Sequence, residues 1–258
     1  MTQRLRNALD QYCTQTRCTA SNTFADATLD RVGLADRYTV VNSPLGDVFV
    51  AWNSRGVSAL RQAGDAEAFT RWFNKRFSRR ALPAQAEPEI VGLVRRALAG
   101  ENVDLPVDLR DCTPFEAAVL AKAREIPKGH ARPYAWVARE IDHPRAVRAV
   151  GSALANNPVP LLIPCHRVVR SDYTCGDYVF GSERKRRLLR DEGLRLEPIQ
   201  ELARRGVRYI GQPEDNCFCL PTCGTNVIAE GHTGFHTVEE ALAQGLEPCS
   251  TCRPIAAA

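Results

Sequence analysis

Two pairs of cysteines near the carboxy-terminal end constrain this chain more than any other feature. Cys219-Leu220-Pro221-Thr222-Cys223 and Pro248-Cys249-Ser250-Thr251-Cys252 form a C-x3-C and a C-x2-C pair, 25 residues apart. Structural zinc prefers a closed tetrahedral shell of four sulfurs, and this spacing supplies one. A segment this short buries too little apolar surface to fold unaided, so the metal has to tie it together. The predicted ligands are Cys219, Cys223, Cys249 and Cys252, with Zn2+ as the cofactor and no organic cofactor. Cys217 is an extra thiol beside them that could compete for the metal.

The chain has ten cysteines in all, and disulfides are the rival use for them. The start, Met1-Thr2-Gln3-Arg4-Leu5-Arg6, carries charge with no apolar run behind it, so neither a signal peptide nor a membrane span is expected. A cytoplasmic location follows, where thiols serve metal binding and nucleophilic chemistry instead. At 258 residues and 44% hydrophobic content the chain is large enough for two or three small domains with real cores. A net charge of +4 is a weak hint of a polyanion partner. The run Glu183 to Arg190 is more local and strongly basic, either a solvated helix face or a phosphate contact.

The pattern divides the chain into a tail over 1–36, an α/β amino-terminal domain over 37–107, a mostly α domain over 108–197, a linker over 198–206 and a zinc module over 207–254. Tyr38–Gly46, Asp47–Trp52 and Gly56–Leu60 read as strands joined by turns. Helical periodicity spans Ala66–Phe77 and Glu89–Ala99, the latter ended by Gly100. Thr113-Pro114-Phe115-Glu116 is a helix start with cap, proline and return glutamate in the required places. Tyr134–Ile141 and a helix from about Arg145 to Asn156, broken at Asp142-His143-Pro144, suggest a helix-turn-helix. On the second helix Arg148, Ser152 and Ala155 share a face that is small except for one long cation.

Ile163-Pro164-Cys165-His166-Arg167-Val168-Val169 places a thiol next to an imidazole. Cysteine offers the strongest intrinsic nucleophile among side chains, as thiolate. Together with Asn157-Pro158-Val159-Pro160 upstream, this stretch closely resembles the active-site signature of the O6-alkylguanine-DNA alkyltransferases. The resemblance is close over about 108–195 and weaker over 38–107, where Ser43-Pro44-Leu45-Gly46 looks like the turn of that family's RNase H-like amino-terminal domain. It implies that Cys165 accepts the alkyl group, that Arg148 fills the space of a flipped nucleotide, that Tyr134 bears on that nucleotide, and that Asn157 braces the turn behind the helix pair. Glu192 matches the glutamate that orients the histidine. The implied relay runs from carboxylate to His166, then through water to the thiol.

Adjacent residues of an extended segment point to opposite sides, so direct contact between Cys165 and His166 is not expected. Backbone near Val168 and Val179 is expected to read the base edge, with Ser152 and Tyr178 also lining the site. Tyr173, Cys175 and Asp177 are bulkier or more polar than the family's substrate loop usually carries, and are expected to shape that pocket. The end of the chain, about 207–254, resembles the zinc-binding domains of Ada-type methylation-response proteins. There the residue matching Cys219 is both ligand and acceptor of methyl groups from DNA phosphotriesters. A purely structural zinc site that adds DNA affinity or a protein contact is the other reading. The expected whole is a monomeric, single-use DNA repair protein acting on duplex DNA with O6-alkylguanine. A non-catalytic damage sensor and a Cys-His hydrolase are the alternatives.

Overall fold

The computed structural model describes residues 28–29, 33–84, 88–212, 216–224 and 232–254. Most of the segment read as a tail lies outside them. The first strand nonetheless begins inside it, at Ala35.

Strands β1 (Ala35–Ser43), β2 (Gly46–Asn53) and β3 (Gly56–Gln62) form an antiparallel meander, and β4 (Arg80–Pro83) adds parallel to β1, giving the order β3-β2-β1-β4. Side chains alternate across this sheet with period two. Phe49, Ala51 and Ala59 meet Phe69, Phe73 and Phe77 of helix α1 (Ala66–Phe77) on one face. Val48, Val50 and Trp52 join the main core, which also takes Val91 and Val94 of α2 (Glu89–Leu98). Helix α1 starts where it does because Asp65 accepts from the backbone N–H groups of Glu67 and Ala68.

Two features fasten this sheet to the segment before α3. Gly56 sits at φ 131°, and a Cβ there would come within 2.3 Å of the Pro106 carbonyl oxygen, so only glycine fits. Buried Asp36 receives Arg79 at 2.9 Å and Asn53 at 2.9 Å, while Asn53 also reaches Asp108 at 2.8 Å and Arg79 reaches Asp111 at 2.7 Å. An acid–guanidinium pair tolerates such burial only because each remaining polar atom finds a partner.

Helix α3 (Pro114–Arg124) carries the capping box its sequence promised: Glu116 N–H donates to the Thr113 hydroxyl at 3.2 Å and Thr113 N–H to Glu116 at 2.9 Å. Helices α4 (Tyr134–Glu140) and α5 (Val147–Ala155) come next, joined by a turn with Asp142 at φ 60°. A short parallel pair, β5 (Arg132–Pro133) and β6 (Val168–Val169), ties the entry to α4 to the residues just past Cys165. Helices α6 (Ser182–Asp191) and α7 (Leu196–Arg204) complete this part.

Residues 198–206, expected to be a linker, are largely helix. Leu196, Ile199 and Ala203 of α7 pack with Val169, Leu189 and Leu194 in one cluster. The apolar side chains, at helical spacing, hold the segment in the core.

The last sheet has the order β10-β8-β7-β9, from β7 (Tyr209–Gln212), β8 (Cys217–Cys219), β9 (Thr233–Phe235) and β10 (Glu247–Pro248), with α8 (Val238–Ala243) beside it. Among the described residues no helix is long and apolar enough to cross a membrane.

Candidate active site and cysteine cluster

Cys165 is buried at the base of a cleft of about 390 Å3. Tyr134, Arg148, Ser152, Arg170, Asp177 and Tyr178 are among the residues that line it. Helix α5 forms one wall, so Arg148, Ser152 and Ala155 face the cleft as one surface. Segment 165–167 is a single 3-10 turn and not extended. Strand alternation therefore does not govern Cys165 and His166; the turn itself sets their directions.

Asn157 fixes the thiol. Its amide donates to Sγ of Cys165 at 3.1 Å and to the Ile163 carbonyl at 3.0 Å, while its oxygen accepts from Val159 N–H at 3.0 Å. The Pro158 carbonyl in turn accepts from Leu60 N–H of β3 at 2.8 Å, so the amino-terminal sheet buttresses this loop. Burial pushes the Cys165 thiol up, opposed by the Asn157 hydrogen bond and the charge of Lys185.

Behind the thiol stands a chain of three groups. His166 Nε2 lies 3.0 Å from Glu192 Oε1, and Arg167 clamps the same carboxylate with contacts of 2.7 and 2.9 Å. Burial works against the Glu192 charge, but the hydrogen bonds from His166 and Arg167 prevail and hold its carboxyl down at about 2. Burial lowers His166, with Glu192 opposing, so the ring is neutral near pH 7. An ionised carboxylate only accepts, so the ring proton belongs on Nε2. Nδ1 is then a bare lone pair, and it is buried without a partner, as is the Tyr178 hydroxyl.

Lys185, in sequence just one member of a basic run, is fully buried. It donates to the Val168 carbonyl and lies 5.6 Å from the Tyr134 ring. Desolvation lowers it to about 8, with Cys165 opposing. Its spacing from Leu188 and Leu189 on the inner face of α6 was the available signal. Val168 itself is buried and its carbonyl is already engaged by that lysine. Val179 is exposed and borders a neighbouring cavity with Arg61, Trp72 and Arg76. Tyr173 and Cys175 do not shape the cleft. Tyr173, at φ 61°, turns inward with Cys175 to pack on Leu189 and Ile199, and only Asp177 of the three lines the opening.

The four paired cysteines converge: the sulfurs of Cys219, Cys223, Cys249 and Cys252 all lie within 4.8 Å of one another. The cluster rests directly on the helical part. Fully buried Arg132 donates to the carbonyls of Ala131 at 2.8 Å, Thr222 at 3.3 Å and Thr251 at 3.3 Å. The Thr222 hydroxyl donates to the Ala131 carbonyl at 2.7 Å. Arg132 and Arg253 each lie 5.4 Å from the Trp136 ring.

The site defines a class: proteins that hold a buried cysteine at the base of an opening walled by the second of two short helices joined by a tight turn. Residues 114–194 match the family model described as the DNA binding domain of 6-O-methylguanine DNA methyltransferase. The chain is 35% identical over 157 residues to the methylated-DNA–protein-cysteine methyltransferase of Methanothermobacter thermautotrophicus, a match covering 60% of this chain and 84% of that protein. It is 38% identical over 164 residues to the bifunctional transcriptional activator/DNA repair enzyme Ada of Escherichia coli, covering 62% of this chain and 46% of Ada, so it spans less than half of that relative. A crystal structure of Mycobacterium tuberculosis OGT in complex with DNA aligns at 31% identity and a TM-score of 0.49, over 60% of this chain and 92% of that one. The chain belongs to the methylated-DNA–protein-cysteine methyltransferase family.

Proposed function

We propose that this chain is a DNA repair protein that moves the alkyl group of O6-alkylguanine in duplex DNA onto Cys165, once per molecule. The observation that carries the reading is the free Nδ1 lone pair of His166, held neutral and buried beside the cysteine motif with Glu192 fixing the opposite nitrogen. Through one water it takes the Cys165 proton. The thiolate then attacks the alkyl carbon, a C–S bond forms, and the C–O6 bond breaks with its electron pair returning to guanine. A proton taken up by the base completes the exchange, and the Tyr178 hydroxyl offers a nearby donor. The thioether product is a poor leaving group, so the chain is spent.

Helix α5 lies in the DNA groove under this proposal, and Arg148 occupies the gap left by a flipped base. Tyr134, at the start of α4, and Ser152 line the path of that nucleotide. A damage sensor that only binds would not need the nucleophile, and Cys165 is present. The sheet order β3-β2-β1-β4, an antiparallel meander with a parallel fourth strand, supports an RNase H-like reading of residues 37–107. We place it, as a monomer, in the reducing cytoplasm, where thiols serve metal binding and nucleophilic chemistry.

The cysteine cluster suits Zn2+. Four sulfurs within 4.8 Å of one another are the donor set of a closed tetrahedral site. A bound zinc would supply the positive charge that lets all four be thiolates. Cys219 is almost wholly buried, which favours the structural role over acceptance of methyl groups from phosphotriesters.

The test is to incubate the chain with duplex DNA carrying O6-methylguanine and map the product by mass spectrometry. One methyl group on Cys165, with activity then exhausted, is expected; repeated turnover would overturn the reading. A C165S chain offered methyl phosphotriester DNA should remain unmodified at Cys219.

A further inference from the structure

We infer that Cys217 is a reserve ligand of the cysteine cluster, able to take the coordination position of Cys219 when that sulfur no longer serves as a thiolate. The inference rests on the zinc reading above. Cys217 and Cys219 are two apart on β8, so their side chains share one face of the strand. Their sulfurs are 3.9 Å apart, the same separation as between the ligands Cys223 and Cys249. Two sulfurs bound about 2.3 Å from one tetrahedral metal stand roughly 3.8 Å apart. Cys217 therefore already lies at ligand spacing from Cys219, although it is outside the set of four.

The backbone around it is fixed from both sides. Cys217 pairs with Gln212 of β7 and with Glu247 of β10, so β8 is an inner strand. With the strand held in place, the exchange proceeds through rotation of the Cys217 side chain, which is unbranched. The thiol is half-buried and not in a disulfide. Chemically the step is a ligand substitution. Cys217 releases its proton to solvent as its sulfur binds the metal, and the neutral or missing group at position 219 leaves the shell. No oxidant or reductant takes part. The consequence is a module that keeps its metal, and its seat on Arg132 and Trp136, after Cys219 has been replaced or otherwise lost as a ligand.

The experiment compares the full-length chain with C217S, C219S and C217S/C219S, purified without chelators. Zinc is counted by elemental analysis, its loss to a chelator is timed, and the thiolate number is read from the charge-transfer absorbance after Co2+ replacement. Wild type, C217S and C219S should each hold one metal with four thiolates. The double variant should show three and release metal about tenfold faster or more. A folded C219S chain with three thiolates, or one indistinguishable from the double variant, overturns the proposal. So does a C219S chain that unfolds where C217S stays folded, because a reserve ligand would have rescued it. Wild type without metal would instead defeat the zinc reading on which the inference stands.

Discussion

Trp136 donates its indole N–H to the carbonyl of Cys252 at 2.7 Å. Helix α4 also begins with Tyr134, which lines the Cys165 cleft. A single short helix thus touches the last cysteine of the cluster with one residue and lines the Cys165 cleft with another. Arg132, two residues before Tyr134, adds the bonds to Thr222 and Thr251 that flank the cluster's own ligands.

Arg132→Met tests this joint. Methionine fills much of the same volume but donates nothing, leaving the Thr251 carbonyl without this donor. A loss of about 1–3 kcal/mol is expected for a buried polar group left unmet. The unfolding midpoint should drop and a chelator should strip the cluster faster, while Arg253→Met, at a more exposed position, should do less. Equal melting of wild type and R132M would show that the contact contributes nothing net.

Under the proposed function, Arg148 serves base flipping and not the chemistry. Its guanidinium is on the exposed side of α5, at the edge of the cleft. Opening a base stack costs a few kcal/mol in duplex DNA and nothing for a free base. Arg148→Ala should therefore slow repair of duplex substrate by about tenfold or more, yet leave reaction with free O6-benzylguanine nearly unchanged. Equal losses on both would assign Arg148 to the fold or the pocket wall.

Lys185 should matter to the nucleophile even though it never meets solvent. Its charge favours the Cys165 thiolate, and it is held at about 8 chiefly by desolvation. Lys185→Met keeps the bulk and removes the charge. The pH profile of benzylguanine transfer should shift toward higher pH, with a several-fold lower rate at pH 7. An unshifted profile would leave Lys185 a structural part only, through its bonds to the Val168 and Asp177 carbonyls.

Acid stability reports on Glu192. Its carboxyl titrates at about 2 in the folded chain, against the ordinary 4.5. A depressed carboxylate contributes stability that is fully present above the ordinary value and disappears as pH falls toward the folded one. That contribution is on the order of 3 kcal/mol, lost between about pH 4.5 and 2. Denaturant titrations should show wild type weakening across this window, and Glu192→Gln should flatten the dependence. A variant with the wild-type slope would place the acid-sensitive group elsewhere.

Much of the site was legible because its determinants are local. The Thr113-to-Glu116 capping box formed as its spacing required, and Ala66–Phe77 is helix over the stretch its periodicity marked. The two cysteine pairs converge as their spacing demanded. Such features need only a few neighbouring residues, so the sequence carries them in full.

Other features depend on partners far along the chain. Strand β4 is four residues long, too short for an alternating pattern, and exists through pairing with β1. Residues 198–206 read as a linker, yet burial of Ile199 and Ala203, with Leu196 just before them, made most of the segment helix. Lys185 looked like one cation in a basic run, but the fold turned it inward onto Val168. Arg132 gave no sign of burial, since its partner at Thr251 is 119 residues away. The sequence alone determined which groups can act as nucleophile, base and ligand, because that is written in residue type and short-range spacing. Only the tertiary structure decided which charges are desolvated and which carbonyls meet them, because a buried charge is stable only where distant backbone supplies its hydrogen bonds.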